Sequence, residues 1–83
     1  MLTDKKLQNI LIETSKIANP FGINDICLYF NLPRNHEGKE ILDCEYGINS
    51  KVVGKFVQRS MVFRRSDTKS SSHVRWEYVG DKD

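Results

Sequence analysis

Apolar residues recur with a helical period in the first part of the chain. Leu7 and Leu11 lie four residues apart within a longer apolar stripe, a spacing that puts them on one face of a helix. Thr3 is of a residue type that caps helix starts, and Pro20 ends the pattern. These features predict a first helix over about residues 4 to 18.

A second, more apolar segment follows after a short connection. Asn24 offers a capping side chain, and Ile23 and Leu28 have the spacing of a hydrophobic staple across the helix start. Pro33 cannot continue a helix. The segment predicts a second helix over about residues 24 to 31, and its composition indicates that the helix is largely buried.

A third, shorter apolar repeat precedes a sharp turn. It contains Leu42 and predicts a helix over about residues 39 to 46. Gly47 suits the left-handed residue that ends such a helix, and Asn49 or Ser50 offers an oxygen atom to the amides of the next one. Two helices joined by so few residues have the arrangement of a helix-turn-helix.

The fourth predicted helix, over about residues 50 to 61, is amphipathic and basic. Its apolar positions recur at i, i+3 and i+4: Val53, Phe56 and Val57. Its basic positions recur every four residues on another face: Lys51, Lys55 and Arg59. Gly54 is less favourable than alanine within a helix by about 1 kcal/mol, and close packing of helices is the expected reason for it, with close approach to DNA as the alternative.

From residue 62 onwards the apolar period becomes alternating. Two such runs flank a small polar connection and predict a β-hairpin over about residues 62 to 79, with Trp76 on the apolar face. Arg64 and Arg65 cannot both point outward from a regular strand. One of them is therefore expected to pair with Glu77 or to stack on Trp76.

Length and charge limit the possibilities further. A chain of 83 residues has room for one domain, and the order of elements predicts an α+β fold of three to four helices followed by a two-stranded antiparallel hairpin. Residues 51 to 75 carry seven Lys or Arg against the single Asp67, a net charge of +6, although the whole chain carries only +2. Such a basic block favours an anionic polymer as partner.

Enzymatic and metal chemistry find little support in the sequence. Cys27 and Cys44 are sixteen residues apart, and with His36 and His73 they fit no zinc-ligand spacing. No Gly-rich phosphate loop occurs. We expect a non-enzyme without cofactor or metal, with reduced cysteines, no membrane segment and a cytoplasmic location.

Residues 38 to 79 resemble the winged helix-turn-helix DNA-binding domains, and more weakly the small winged modules of phage and plasmid replication proteins. The matching positions are those of the helix contact, the turn glycine and the recognition-helix core: Leu42, Tyr46, Gly47, Ile48, Val53 and Phe56. Asp43 departs from the pattern, because a small residue is usual there and a buried carboxylate would need a partner. A rival division makes the helix at residues 24 to 31 the first element of the motif.

The resemblance implies that the amino-terminal half of the fourth helix enters the major groove of double-stranded DNA and that the hairpin contacts the flanking backbone or the minor groove. The implied DNA-binding residues are Asn49, Ser50, Lys51, Lys55, Arg59, Arg64, Arg65, Lys69 and Arg75. The implied role is a small transcriptional regulator, acting as a monomer or homodimer.

Two other functions remain open from the sequence. The domain could be a protein-interaction module that inhibits or recruits a host or replication enzyme. A weaker alternative is binding of single-stranded nucleic acid by stacking on Trp76.

Overall fold

A computed structural model describes residues 2 to 66 and 74 to 80 of the chain. Four helices precede two short antiparallel strands, so the protein has the predicted α+β fold. The helices are α1 (Asp4–Ile17), α2 (Ile23–Tyr29), α3 (His36–Tyr46) and α4 (Ser50–Arg59), and the strands are β1 (Phe63–Arg65) and β2 (Trp76–Tyr78). The part of the predicted hairpin at residues 67 to 73 lies outside the described residues.

The helix starts follow from side-chain capping. Thr3 caps α1 as predicted, its Oγ1 accepting from the Lys6 amide at 3.1 Å. The prediction that Asn24 caps α2 is wrong, because the Asp25 carboxylate accepts from the Gly22 amide at 2.8 Å and the helix begins at Ile23. Ile23 therefore lies inside the helix and does not form a staple before it.

Two further predictions about α2 and α3 are corrected. Leu28 and Tyr29 are more than one-third exposed, so α2 is less buried than its composition suggested. Helix α3 begins three residues earlier than predicted, because the Asn35 side chain accepts from the Gly38 amide at 3.0 Å and caps the first turn. Gly38 is buried in α3, where a Cβ would overlap the carbonyl oxygen of Pro33.

The turn between α3 and α4 has the predicted chemistry. Gly47 is left-handed, with φ of 69°, and Asn49 caps α4 by accepting from the Val52 amide at 2.9 Å. Asp43 is exposed, and the Asn49 side-chain amide donates to it at 2.9 Å. The residue that departed from the winged-helix pattern thus needs no buried partner, and it orients the cap of α4 instead.

The hairpin is joined to the helices by a contact that the sequence did not predict. Phe21 pairs with Trp76 in an antiparallel bridge, with both amide-to-carbonyl hydrogen bonds at 2.8 Å. The Asn19 side chain donates to the Tyr78 carbonyl and accepts from the Tyr78 amide. The segment before α2 is therefore a second pairing partner of β2, beside β1, and attaches the hairpin to the helices.

One core connects all six elements. Its buried members come from each helix and from both strands: Leu7, Leu11, Ile26, Leu42, Val53, Phe56, Phe63 and Trp76. Trp76 is only 2% exposed, as expected for a core residue. Among the residues that the structure describes, none of the helices is both long enough and apolar enough to span a bilayer.

Candidate nucleic-acid interface

The outer side of α4 carries the basic residues predicted to contact DNA. Val53, Phe56 and Val57 are buried against the core, so the opposite side faces solvent. Lys51 and Lys55 are exposed on that side. The ten residues of α4 form a helix about 15 Å long. The major groove of B-form DNA is wide enough to admit an α-helix.

A groove runs between α4 and the hairpin, and we call it the hairpin groove. Its helix side is formed by Ser50, Gly54, Val57 and Gln58, and its hairpin side includes Arg64, Arg65, Val74 and Trp76. The space has a volume of about 500 Å³. The hairpin groove thus has cationic side chains on the hairpin and small or polar ones on the helix.

The two arginines of β1 differ in their partners. Arg64 lies opposite Glu77 in the register, and its Nε donates to the Glu77 carboxylate at 2.9 Å. This confirms the prediction that one arginine pairs with Glu77. Arg65 lies opposite the buried Trp76 and is itself exposed. Within residues 2 to 66 and 74 to 80, Arg65 therefore brings its charge to the groove without a paired carboxylate, whereas Glu77 partly neutralises Arg64.

Arg59 is directed away from the hairpin groove. It follows Ser50 by nine residues, about two and a half helical turns, which puts the two residues on opposite sides of α4. Its guanidinium lies 3.4 Å from the Asp4 carboxylate in the first turn of α1. Of the three basic residues that share a four-residue period in α4, Arg59 is thus the one that lies beside a carboxylate of α1.

The remaining predicted residues are placed differently again. Ser50 lies in the hairpin groove, whereas Asn49 is engaged in capping α4. The Arg75 side chain lies near Gly22, where its Cγ would be 3.8 Å from a Cβ on that glycine. Lys69 lies outside the described residues.

Gln58 and Gly54 were not predicted as site residues. Both line the hairpin groove, and both repeat from Ser50 at intervals of four residues. That spacing was visible in the sequence, but only the position of the hairpin shows which side of α4 borders a groove. The expected close packing at Gly54 is not found among residues 2 to 66 and 74 to 80, because a Cβ there would meet none of their atoms within 4 Å.

Several other chemistries are disfavoured by the geometry. Trp76 is buried and offers no exposed face on which a base could stack. Cys27 is buried too, and desolvation raises the pKa of its thiol more than nearby Lys39 lowers it, so it is a poor nucleophile. Within residues 2 to 66 and 74 to 80, no three His, Cys, Asp or Glu side chains are grouped to hold a metal ion.

The fold and the groove define a small α+β domain in which a capped basic helix follows a three-residue turn and precedes a β-hairpin. Comparison with protein-family models, curated protein sequences and solved structures finds no significant match. Function is therefore inferred from the placement of the side chains.

Proposed function

We propose that this protein binds double-stranded DNA through α4 and the hairpin, as a small transcriptional regulator. One observation carries the proposal: Lys51 and Lys55 on α4 and Arg64 and Arg65 on β1 lie on the two elements that border the hairpin groove. Residues 50 to 66 contain no Asp or Glu, so within this segment both elements carry basic side chains and no acidic ones. Phosphate binding depends on such local charge.

The two borders are suited to different parts of a duplex. Lys51 and Lys55 project from a helix of suitable length for the major groove, where lysine donates to guanine edges or to phosphates. The arginines lie on the neighbouring hairpin, within reach of the adjacent backbone, and their planar donors suit phosphate oxygens. Binding by both elements would fix the orientation of the domain on DNA.

The direct test is titration of a labelled duplex at several salt concentrations. If four cations contact phosphates, affinity falls about a hundredfold between about 50 and 200 mM salt. Replacement of both Lys51 and Lys55 by Glu weakens binding by at least about a hundredfold, because two attractive charges become repulsive.

A matched control makes the same change of charge on α1. Lys5 and Lys6 are exposed there, and their joint replacement by Glu alters the net charge equally without touching α4. We expect a much smaller loss of affinity. Equal losses in both double variants would show that net charge, and not the α4 surface, controls binding, and an absence of duplex binding by the wild type would overturn the proposal.

The regulatory part of the proposal requires sequence preference. Selection of bound sequences from a random duplex pool tests it, and enrichment of an inverted repeat would indicate a homodimer with two α4 helices one DNA turn apart. A bound pool without any enriched sequence would contradict regulation while leaving DNA binding intact.

A protein partner is the second candidate, because aromatic side chains form a partly exposed cluster away from α4. The Phe30 and Tyr46 rings are stacked at 4.2 Å, and Tyr29 contacts Phe30 edge-on. Tyr29 and Tyr46 are about 40% exposed, and aromatic residues are enriched at protein interfaces. A nuclease-resistant complex that is lost on replacing both tyrosines by Ser, but kept in the Lys51 and Lys55 variant, would favour this function.

A further inference from the structure

Gly54 occupies a position for which the fold gives no reason. It lies in the middle of α4, where glycine is less favourable than alanine because it loses more conformational freedom. A Cβ at this position would meet no atom of the described residues within 4 Å, and the backbone here is helical, not left-handed. Neither packing nor backbone conformation therefore requires glycine at residue 54.

The surroundings of Gly54 are those of a ligand site. Ser50 and Gln58 lie one turn before and one turn after it on the same side of α4, and both line the hairpin groove. Arg64 and Arg65 lie across the groove. Around the partly exposed Gly54, the groove therefore offers a hydroxyl, an amide and two guanidinium groups as hydrogen-bond donors, beside an apolar floor that includes Val57, Val74 and Trp76.

Donors of this kind suit phosphate oxygens. With α4 in the major groove and the hairpin beside the neighbouring minor groove, the sugar-phosphate backbone that separates the two DNA grooves passes between the two protein elements. The hairpin groove is the space between those elements. A side chain at residue 54 would project into that space.

We infer that Gly54 allows one sugar-phosphate strand of the duplex to lie against the α4 backbone, where Ser50, Gln58 and the β1 arginines hold it. The inference rests on the proposed DNA binding and names the part of the ligand that enters the hairpin groove. It implies that replacing Gly54 by alanine stabilises the fold but weakens DNA binding.

The test compares Gly54→Ala and Gly54→Leu with the wild type in thermal unfolding and duplex titration. Alanine raises Tm by about 4 °C, because it favours the helix and meets no neighbour. It raises the Kd for duplex about fivefold, and leucine, which fills more of the groove, raises it by more than about twentyfold. These losses are the same for duplexes of different sequence, because the phosphate backbone is common to them all.

Asn9→Leu is the matched control, since it adds a leucine to an exposed position of α1 outside the hairpin groove. It leaves the Kd unchanged. If the wild type binds duplex and the Lys51 and Lys55 variant does not, yet both Gly54 variants bind like the wild type, the inference is overturned and the proposed function stands. A fall in Tm for Gly54→Ala would also overturn it, because the fold would then require the glycine. If the wild type binds no duplex, both fail.

Discussion

Helices α3 and α4 are neighbours with similar lengths and caps, yet they differ in charge and in the surroundings of their glycines. They have 11 and 10 residues, each begins at an asparagine cap, and each contains one glycine. In α3 a Cβ on Gly38 would overlap Pro33, whereas in α4 a Cβ on Gly54 would meet nothing within 4 Å. The packing of the fold thus explains the glycine of α3 but not the glycine of α4, for which we have proposed contact with DNA.

The two helices also carry opposite net charges. Four acidic residues and one lysine lie in α3, whereas α4 has three basic residues and no acid. Because only three residues separate the helices, the carboxylates of α3 add negative charge near the start of the basic α4. Comparison of α3 with α4 shows that helix length and capping do not distinguish the two helices. Their charge and the space around their glycines do.

The largest effect expected from this comparison is on stability. Gly38→Ala forces α3 and the Pro33 segment apart and lowers the free energy of unfolding by about 3 kcal/mol. Urea unfolding measures the change, with Gly54→Ala as the control that moves in the opposite direction. If Gly38→Ala is as stable as the wild type, the contrast between the two glycines does not hold.

A smaller effect concerns the two sides of α4. Arg65→Ala, beside the hairpin groove, weakens duplex binding about tenfold, whereas Arg59→Ala weakens it less than about threefold. Each change removes one positive charge, so the pair is matched. Breaking the exposed contact of Arg59 with Asp4 changes the free energy of unfolding by no more than about 0.5 kcal/mol. Equal losses of affinity would mean that the DNA contacts α4 on the side facing α1 as well.

The smallest effect comes from removing an acid beside an arginine. Glu77→Gln releases Arg64 from its carboxylate and strengthens duplex binding about threefold. Asp4→Asn removes the same charge beside Arg59 and leaves affinity nearly unchanged. Fluorescence anisotropy at low salt resolves the difference, and an equal gain in both variants would reflect net charge alone.

Much of the fold could be predicted from local patterns. The cap at Thr3, the turn at Gly47 and Asn49, the amphipathic face of α4 and the burial of Trp76 follow from residue type and spacing, and the structure confirms them. The predicted start of α2 was wrong because Asn24 and Asp25 both offer a capping side chain. In the structure the Asp25 carboxylate accepts from the Gly22 amide. Competing caps of similar energy cannot be ranked by residue type alone.

The candidate site was only partly predictable, because side-chain spacing defines faces of a helix but not what borders them. Lys51, Lys55 and Arg59 form one series in the sequence, and only the position of α1 places the Asp4 carboxylate beside Arg59. Gln58 and Gly54 enter the site only because the hairpin lies beside them. The use of the site by DNA stays a prediction that the binding experiments test.

The sequence by itself determined the order of helices and strands, the α+β class and the basic character of the segment that begins at residue 51, because periodicity, capping and charge are local properties. Tertiary structure alone decided that Phe21 pairs with Trp76, that Gly38 is packed and Gly54 open, and that a groove separates α4 from the hairpin. The physical reason is that these features join residues far apart in the chain, whose approach depends on how the whole core packs.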